Sequence, residues 1–569
     1  MRILLIASAF NSLTQRVHTA LRDEGHAVSV QLAVGDRSLR EAVARTDPDL
    51  ILAPMLTAVV PEDIWSTRTV LIVHPGPMGD RGPSSLDWAI QEGARDWGVT
   101  VLQAAAEMDA GDIWASVPFR VAPCGKSELY RGEVSDAAVR AVLLAVERYE
   151  EGSYTPVPLD YTAAGVQGRA RPAMRQADRR IDWRSDDTET VLRRLRAADS
   201  RPGVLDELYG DEFFLHGGHP EDELRGAPGA VLATRDGAIC RATVDGAVWI
   251  PRLRARRVPG GPATLKLSAA AVLGERLAGV DEAEVDPQAA ADRDTWSEIR
   301  YREHGRAGFL EFSFPGGAMD TVRCQRLLAA YRDAIARPTS VLVLGPRRDV
   351  FSNGIHLGVI EAAADPAGES WANINAMNDL VQAVLTTTDR LTVAALPGNA
   401  AAGGLMLALA ADEVWCRAAS VLNPHYRLMG LYGSEFWTYT LPRRVGAAQA
   451  ALLTSRTLPV GARQAHALGL ADLVLPGSQE EFRSQTVRRA AELAASAPLP
   501  GRIAVKRARR AEDEAAAPLA GYRSDELARM ERNFFGESEP YHALRADFVH
   551  SVRPLTTPEH LLEWAPAHS

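Results

Sequence analysis

The first 150 residues alternate short apolar runs with amphipathic segments, and this rhythm constrains the fold more than any other feature. Runs of strand length followed by segments of helical periodicity are typical of βαβ units in an open parallel sheet. Ligands of such sheets bind beyond the carboxyl ends of the strands, and His74 directly follows the last of these runs. The segments are residues 2–7, 12–24, 27–32, 39–45, 50–53 and 70–73.

The rest of the chain indicates further domains, since 569 residues exceed what one hydrophobic core accommodates. Short strands broken by Gly-containing turns follow a predicted helix over residues 188–198, which is typical of a small β-barrel. A second α/β pattern opens after Gly308 and ends in a helix-rich tail. The predicted divisions are an open parallel-sheet domain at 1–165, a β-barrel-like domain at 166–258, a linker at 259–298 and the second α/β domain at 299–569.

Composition narrows the class of protein. The chain has 46% hydrophobic and 24% charged residues, which is typical of a soluble globular protein. A net charge of -10 argues against nucleic acid partners, because these require a clustered positive field. The four cysteines lack paired spacing, so neither a disulfide framework nor a metal site is expected. No leader or long apolar segment is evident, and we expect a cytoplasmic enzyme without membrane contact.

The first domain carries three short motifs: IVHPG at 72–76, RGPSSLDWAI at 81–90 and MDAGD at 108–112. The order of the three motifs resembles the folate-dependent formyltransferase family over residues 1–255, with an implied formyl donor of 10-formyltetrahydrofolate. The resemblance implies that His74 is the catalytic histidine and Asp109 its carboxylate partner. Without the motif order, His74 and Asp109 would be read as a strand end and a turn.

One position departs from that family's pattern. The family carries Asn two residues before the histidine, where this chain has Ile72, so one donor to the formyl oxygen is missing. Loss of such a donor costs about 3 kcal/mol in comparable sites. Asn11, Gln15 and Ser85 are candidate replacements, among which the sequence does not choose. Arg81 of the second motif is a further candidate for substrate binding.

A different set of motifs follows in the last domain: FSNGIHL at 351–357, ALPGNAAAGGL at 395–405, LPRRVG at 441–446 and AHALGLAD at 465–472. They resemble the crotonase (enoyl-CoA hydratase/isomerase) family over residues 300–555, which implies a coenzyme A thioester as the ligand. Backbone N–H groups that converge on the thioester oxygen stabilise its developing charge. By this resemblance the N–H groups of Ile355 and Gly403 form the oxyanion hole.

Both catalytic acids of the hydratases are absent. Their positions hold Met406 and Tyr426, and methionine can serve neither as acid nor as base, so simple hydration is not expected. Tyr426 and Glu435 are the predicted catalytic pair, with His425 and Tyr432 behind them. The alternative interpretation of this polar and aromatic cluster is a packing interface.

Together, the two halves resemble hydrogenase-maturation proteins that carry both domains on one chain. The resemblance implies formyl transfer from 10-formyltetrahydrofolate to coenzyme A, followed by loss of carbon monoxide from formyl-CoA. It also implies small-molecule substrates and partners among nickel-iron hydrogenase maturation proteins. Three alternatives stay open at this point: a formyl-CoA hydrolase that releases formate, an amine formyltransferase with a fused acyl-CoA domain, and a non-catalytic assembly factor.

Overall fold

A computed structural model describes residues 1–162, 166–562 and 564. The chain divides into two compact units. One comprises most of residues 1–282 and the chain from Arg553 onward, and the other comprises most of residues 283–552. In the part of the chain that the structure describes, no helix has the length and apolarity needed to cross a membrane. The division into four parts stays a prediction.

The first unit begins with a six-stranded sheet in the order β2-β1-β3-β4-β5-β6. Strands β1 to β4 are parallel, as expected, whereas β5 is antiparallel to both β4 and β6. The connection between β5 and β6 is too short for the crossover that parallel strands need. The strands are β1 (Arg2–Ala7), β2 (Ala27–Leu32), β3 (Leu50–Met55), β4 (Val70–His74), β5 (Asp96–Gln103) and β6 (Ile113–Arg120).

Helices cover this sheet because their apolar stripes match the buried strand residues. Leu39 and Ala42 of α2 pack with Leu4, Ile6 and Ile51 of the sheet. A π-helical turn, Tyr130–Val134, lies between α5 and α6. The helices are α1 (Ser12–Asp23), α2 (Asp36–Thr46), α3 (Glu62–Trp65), α4 (Ser85–Gln91), α5 (Lys126–Leu129) and α6 (Ser135–Glu151).

Short antiparallel strands follow, around helix α8, and form the predicted β-barrel-like part. Strands β10, β11, β12 and β9 form one sheet, and β13, β8 and β7 pair in a second. The segment predicted as a linker carries two short helices, α9 and α10, and Ala269 and Leu273 of α9 are buried in this core. The elements are α7 (Gln176–Arg179), α8 (Thr188–Ala197), β7 (Val204–Leu208), β8 (Asp211–His216), β9 (His219–Glu221), β10 (Val231–Arg235), β11 (Ala238–Ala242), β12 (Ala247–Ile250), β13 (Arg252–Ala255), β14 (Leu267–Ser268), α9 (Ala269–Leu273) and α10 (Pro287–Ala291).

The second unit contains a six-stranded sheet in the order β15-β16-β18-β20-β22-β25, parallel except for the β15–β16 pair. Short strands pair outside this sheet: β17 with β19, and β21 with β23 and β24. The strands are β15 (Ile299–His304), β16 (Ala307–Phe312), β17 (Ala318–Met319), β18 (Val341–Gly345), β19 (Gly354–Ile355), β20 (Leu391–Leu396), β21 (Ala400–Ala401), β22 (Glu413–Arg417), β23 (Val421–Asn423), β24 (Val460–Gly461) and β25 (Leu473–Leu475).

Helices dominate the end of the chain, which confirms the expected α/β architecture with a helical C-terminal tail. The last short helix lies in the first unit, where Thr557 Oγ1 accepts hydrogen bonds from Gln31 Nε2 and Leu32 N at 2.7 and 2.9 Å. The helices are α11 (Thr321–Ile335), α12 (Leu357–Ala362), α13 (Pro366–Thr386), α14 (Ala402–Leu409), α15 (Trp437–Val445), α16 (Ala447–Arg456), α17 (Ala462–Leu468), α18 (Gln479–Ala495), α19 (Leu499–Ala516), α20 (Leu519–Phe535), α21 (Tyr541–Val549) and α22 (Glu559–Leu562).

Candidate active sites

In the first unit, His74 lies between two carboxylates at the carboxyl end of β4. Its Nε2 is 2.9 Å from Asp80 Oδ2, and its Nδ1 is 3.6 Å from Asp109 Oδ1. Asp109 is the partner that the motif predicts, and the structure brings it to His74. Asp80 was missed by sequence reasoning, although an aspartate six residues after the histidine in a Gly-containing loop was an available signal. The imidazole therefore has a carboxylate on each side.

Asp80 is held in place by a partly buried arginine from a distant part of the chain. Arg171 Nη1 donates to Asp80 Oδ1 at 2.6 Å, and its Nη2 donates to Glu92 at 2.9 Å. The Arg171 guanidinium also lies 5.2 Å from the centroid of the Trp97 ring. The arginine thus supplies a balancing positive charge beside the Asp80 carboxylate, whose side chain is fully buried.

Gly76 allows the close approach of His74 and Asp80. A Cβ built on Gly76 would lie 2.6 Å from His74 Nε2 and would overlap the Asp80 carboxylate. The absence of a side chain at Gly76 is therefore required for this contact, since atoms cannot approach this closely.

A cavity of about 700 Å³ opens beside this group, at the edge where the parallel strands end. Both polar and apolar side chains line it, which suits an amphiphilic ligand with a reacting group near His74. Asp80 is not among the lining residues, whereas His74 and Asp109 are. The lining also includes Asn11, Met55, Val60, Ile72, Ser85, Leu102, Lys126 and Tyr130.

The structure separates the candidates for the missing amide donor. Ser85 Oγ donates to the carbonyl of Pro75 at 2.8 Å, and Gln15 Nε2 donates to that of Phe10 at 3.0 Å. Asn11 and Ser85 line the cavity, and Gln15 does not. Arg81 forms an ion pair with Glu107 and also lies outside the lining. Of these four, Asn11 presents an amide at the cavity wall.

Tyr130 is a cavity residue that sequence reasoning missed. Its hydroxyl accepts a hydrogen bond from Asn11 Nδ2 at 3.4 Å, and burial raises its pKa to about 12. Asn11 Oδ1 in turn caps helix α1 by accepting from Thr14 N at 3.0 Å. No sequence motif marks Tyr130, but the structure places it at the start of a π-helical turn, and such turns are common at functional sites.

In the second unit, the two predicted oxyanion segments approach each other closely. Ile355 ends the short strand β19, and Gly403 is the second residue of α14. A Cβ on Gly354 would lie 3.2 Å from Gly403 N, so small residues are needed here. The helix N-terminus adds a favourable dipole for developing negative charge. The backbone N–H groups of Ile355 and Gly403 remain the predicted oxyanion hole.

Glu435 lies directly against Gly403. A Cβ built on Gly403 would overlap the Glu435 carboxylate. The Tyr426 hydroxyl donates to Glu435 Oε2 at 2.8 Å, and Ser434 N donates to the same oxygen at 3.1 Å. Burial raises the pKa of Glu435 to about 8, although the hydrogen bond from Tyr426 opposes this. The predicted Tyr426 and Glu435 pair is thus in contact, and its carboxyl group can hold or release a proton near neutral pH.

Met406 stands at the position of a missing hydratase acid, and His425 and Tyr432 are the residues predicted to lie behind the pair. Met406 is fully buried in the core and supplies no acid or base. His425 is also buried, and its backbone N–H donates to Asn423 O at 2.9 Å. Tyr432 packs against Trp437 with ring centroids 5.3 Å apart and under the guanidinium of Arg529.

The segment that carries Glu435 has an unusual backbone. Glu435 and Phe436 have φ values of 61° and 59°, a left-handed conformation that costs energy for side chains of this size. Two buried groups hold it: Asn378 Oδ1 accepts from Glu435 N at 2.8 Å, and Glu526 accepts from Phe436 N at 2.9 Å. Glu526 and Asn378 are therefore supporting residues that the sequence motifs did not indicate.

Replacing Glu526 with alanine is expected to destabilise the second unit by about 3 kcal/mol, because buried donors would lose their acceptor. Its carboxylate accepts from Ser434 Oγ, Phe436 N, Thr438 N and Thr438 Oγ1 at the start of α15. Urea unfolding measures the change. Glu526→Gln keeps one acceptor oxygen and should lose less stability, and equal losses for both variants would contradict this role.

The raised pKa of Glu435 predicts a loss of stability at alkaline pH. Its folded-state pKa is about 8 and its usual value is 4.5, so the folded state binds more protons between these values. Stability therefore falls as pH rises through this window. Relative to Glu435→Gln, the wild-type Tm should decrease from about pH 5 to about pH 9. Parallel Tm curves for the two proteins would show that Glu435 does not titrate in this way.

Models of known protein families match parts of both units. The formyl transferase model matches residues 31–146, and the model of the formyl transferase C-terminal domain matches residues 173–259. The enoyl-CoA hydratase/isomerase model matches residues 324–529. The chain is therefore an enzyme in which a formyltransferase is followed by an enoyl-CoA hydratase-like domain.

Relatives with both parts on one chain identify the family. Hydrogenase maturation factor HoxX of Bradyrhizobium diazoefficiens is 48% identical over 100% of this chain and 98% of the relative. HypX of Aquifex aeolicus, crystallised in complex with tetrahydrofolic acid, is 43% identical over 99% of this chain and 98% of the other, with a TM-score of 0.94. Methionyl-tRNA formyltransferase of Variovorax paradoxus is 26% identical over 39% of this chain and 68% of the relative. The chain belongs to the HoxX/HypX family of hydrogenase maturation factors.

Proposed function

We propose that this chain synthesises carbon monoxide in two steps for the maturation of nickel-iron hydrogenases. In the first step, a formyl group passes from 10-formyltetrahydrofolate to the thiol of coenzyme A. In the second, formyl-CoA breaks down to carbon monoxide and coenzyme A. The observation that carries the proposal is the buried Glu435 carboxyl, whose pKa is about 8, against the predicted oxyanion residue Gly403.

The first step uses the cavity beside His74. Its volume of about 700 Å³ and its mixed lining fit a folate, and the related HypX of Aquifex aeolicus was crystallised with tetrahydrofolic acid. His74 removes the thiol proton as the sulfur attacks the formyl carbon, and Asp109 stabilises the imidazolium that forms. The carbon–nitrogen bond of the donor then breaks, and the proton passes from His74 to the leaving nitrogen. Asn11 and Tyr130 are donors within the cavity that can face the formyl oxygen.

The second step differs from ordinary crotonase chemistry because formyl-CoA has no α-carbon and forms no enolate. The thioester oxygen binds the backbone N–H groups of Ile355 and Gly403. The Glu435 carboxylate takes the formyl proton, the carbon–sulfur bond breaks, and carbon monoxide leaves. Glu435 then returns the proton to the thiolate, so atoms and charge balance. Gly354 and Gly403 have no side chains, so a thioester can lie close to the backbone at these positions.

Exclusion of water decides between carbon monoxide and formate, since attack of water on the same carbonyl would give formate. Tyr426 and Glu435 are 8% and 1% exposed. The Tyr426 hydroxyl occupies Glu435 Oε2, which leaves the other oxygen to face Gly403. This arrangement favours proton removal from the formyl carbon over activation of water.

The test is incubation of the purified protein with 10-formyltetrahydrofolate and coenzyme A, with released carbon monoxide trapped by a haem protein. Carbon monoxide that depends on coenzyme A supports the proposal. Formate with no carbon monoxide would indicate a formyl-CoA hydrolase. Formylation of an amine by the protein in the absence of coenzyme A would indicate the fused amine formyltransferase instead. Either result would overturn the two-step synthesis.

A further inference from the structure

We propose that Asp80 is the positioning residue of the first site, and that it holds His74 in the form with the proton on Nε2. Nδ1 is then the nitrogen that accepts the proton of the attacking thiol. The catalytic part of this inference rests on the proposed function, whereas the protonation of the ring does not. The inference gives the two carboxylates beside His74 different roles: Asp80 sets the position of the proton on the ring, and Asp109 faces the nitrogen that accepts the proton of the thiol.

The donor at Nε2 follows from the partners of Asp80. Asp80 Oδ1 accepts from Arg171 Nη1 at 2.6 Å, and Oδ2 lies 2.9 Å from His74 Nε2. An ionised carboxylate only accepts hydrogen bonds. Oδ1 of this carboxylate already accepts from a guanidinium, which can only donate, so the hydrogen in the contact with His74 comes from Nε2. An adjacent acceptor commonly sets the tautomer of histidine in this manner.

The other nitrogen faces the reaction space. His74 Nδ1 lies 3.6 Å from Asp109 Oδ1, and both residues line the cavity. Asp80, whose side chain is fully buried, is not part of the lining. With hydrogen on Nε2, the lone pair of neutral His74 is on Nδ1, where a thiol in the cavity can donate its proton. Asp109 then lies beside the proton that Nδ1 has received.

Two glycines and one charged side chain hold His74 and Asp80 in contact. Gly76 leaves room for it, since a Cβ there would lie 2.6 Å from His74 Nε2. Gly168 packs on the backbone of Asp80, where a side chain would overlap it. Arg171 donates to the other oxygen of Asp80, Oδ1, and so fixes the orientation of the carboxylate. Among the residues that the structure describes, Asp109 forms no ion pair with an arginine or lysine, whereas Asp80 pairs with Arg171. The two carboxylates beside His74 therefore differ in whether a cation balances their charge.

The experiment is nitrogen NMR of the full chain labelled with ¹⁵N-histidine, with the His74 signal assigned from its loss in His74→Gln. At a pH where the ring is neutral, the wild type should show hydrogen on Nε2. Asp80→Asn should shift the signal toward the other tautomer, because the asparagine amide can itself donate to Nε2. Gly76→Ala, which separates the pair without changing either side chain, should shift it in the same direction.

Glu92→Gln is the matched control, because it removes a carboxylate next to Arg171 without touching His74; its spectrum should match the wild type. Hydrogen on Nδ1 in the wild type would overturn the inference, and so would unchanged signals in Asp80→Asn and Gly76→Ala. Should Asp80→Asn fail to fold, Gly76→Ala decides.

Kinetics then test the catalytic part. Asp80→Asn should lower kcat/KM for formyl-CoA formation by about 100-fold or more, since positioning the base is a large share of general base catalysis. A wild-type rate in a variant with the altered tautomer would overturn the role of Nδ1. If the wild type forms no formyl-CoA, the proposed function is wrong. The role of Asp80 in setting the tautomer of His74 is still tested separately by the NMR measurement.

Discussion

His74→Ala is expected to lower kcat/KM for formyl transfer to coenzyme A by about 10³-fold, because no other described base lies at the position of its ring. The imidazole is the group that touches both the cavity and the two carboxylates Asp80 and Asp109. Formyl-CoA production, followed by chromatography, measures the effect. Carbon monoxide release should fall in parallel, since the second step receives no substrate.

His26→Ala is the matched control for this variant. His26 lies in the same unit and is also buried, but it contacts the amino terminus and Glu150 and is not part of the cavity lining. Its kcat/KM should stay near the wild-type value. Authentic formyl-CoA supplied to His74→Ala should still yield carbon monoxide at the wild-type rate. A His74→Ala protein that transfers formyl groups normally would remove His74 from the mechanism.

Glu435→Gln is expected to lower the release of carbon monoxide from formyl-CoA by about 10³-fold, because glutamine cannot take the formyl proton. The first step should be unaffected, so formyl-CoA should accumulate when the donor and coenzyme A are supplied. This result would distinguish the variant from His74→Ala, which makes no formyl-CoA. Gas-phase detection of carbon monoxide and chromatography of the thioester measure both quantities.

Two comparison variants sharpen this second prediction. Tyr426→Phe removes the hydroxyl that donates to Glu435 Oε2 and leaves the carboxyl in place, so its loss should be smaller than that of Glu435→Gln. Glu413→Gln alters a carboxylate of the same unit that pairs with Arg502 and accepts from Trp415, and it should behave as the wild type. Rapid carbon monoxide release by Glu435→Gln would exclude Glu435 as the base.

The first site was only partly predictable from the sequence. His74 and Asp109 belong to short motifs whose order carries information, and the structure brings them together. Asp80 lies in the same loop, but its importance depends on Arg171, a residue 91 positions away. Tyr130 similarly meets Asn11 across 119 positions. Such contacts arise when elements far apart in the sequence pack together. They cannot be predicted from one sequence when no motif marks the residues involved.

The second site shows the same division. The absence of hydratase acids at Met406 and Tyr426 was visible in the sequence, and so was the nearby Glu435. The hydrogen bonds that hold the Glu435 segment in place were not visible in the sequence, because Asn378 and Glu526 come from the distant helices α13 and α20. The left-handed backbone at Glu435 was also hidden, since no glycine marks that position.

The sequence by itself determined the order of strands and helices, the two motif sets and the residues that depart from them. Hydrophobic periodicity and glycine spacing are local properties, so they can be recognised without a structure. The tertiary structure alone decided which atoms meet: Nε2 of His74 with Asp80, Nδ1 with Asp109, and the Glu435 carboxyl with Gly403. Burial decided the rest, because the pKa of Glu435 rises to about 8 only when the folded chain removes its carboxyl from water.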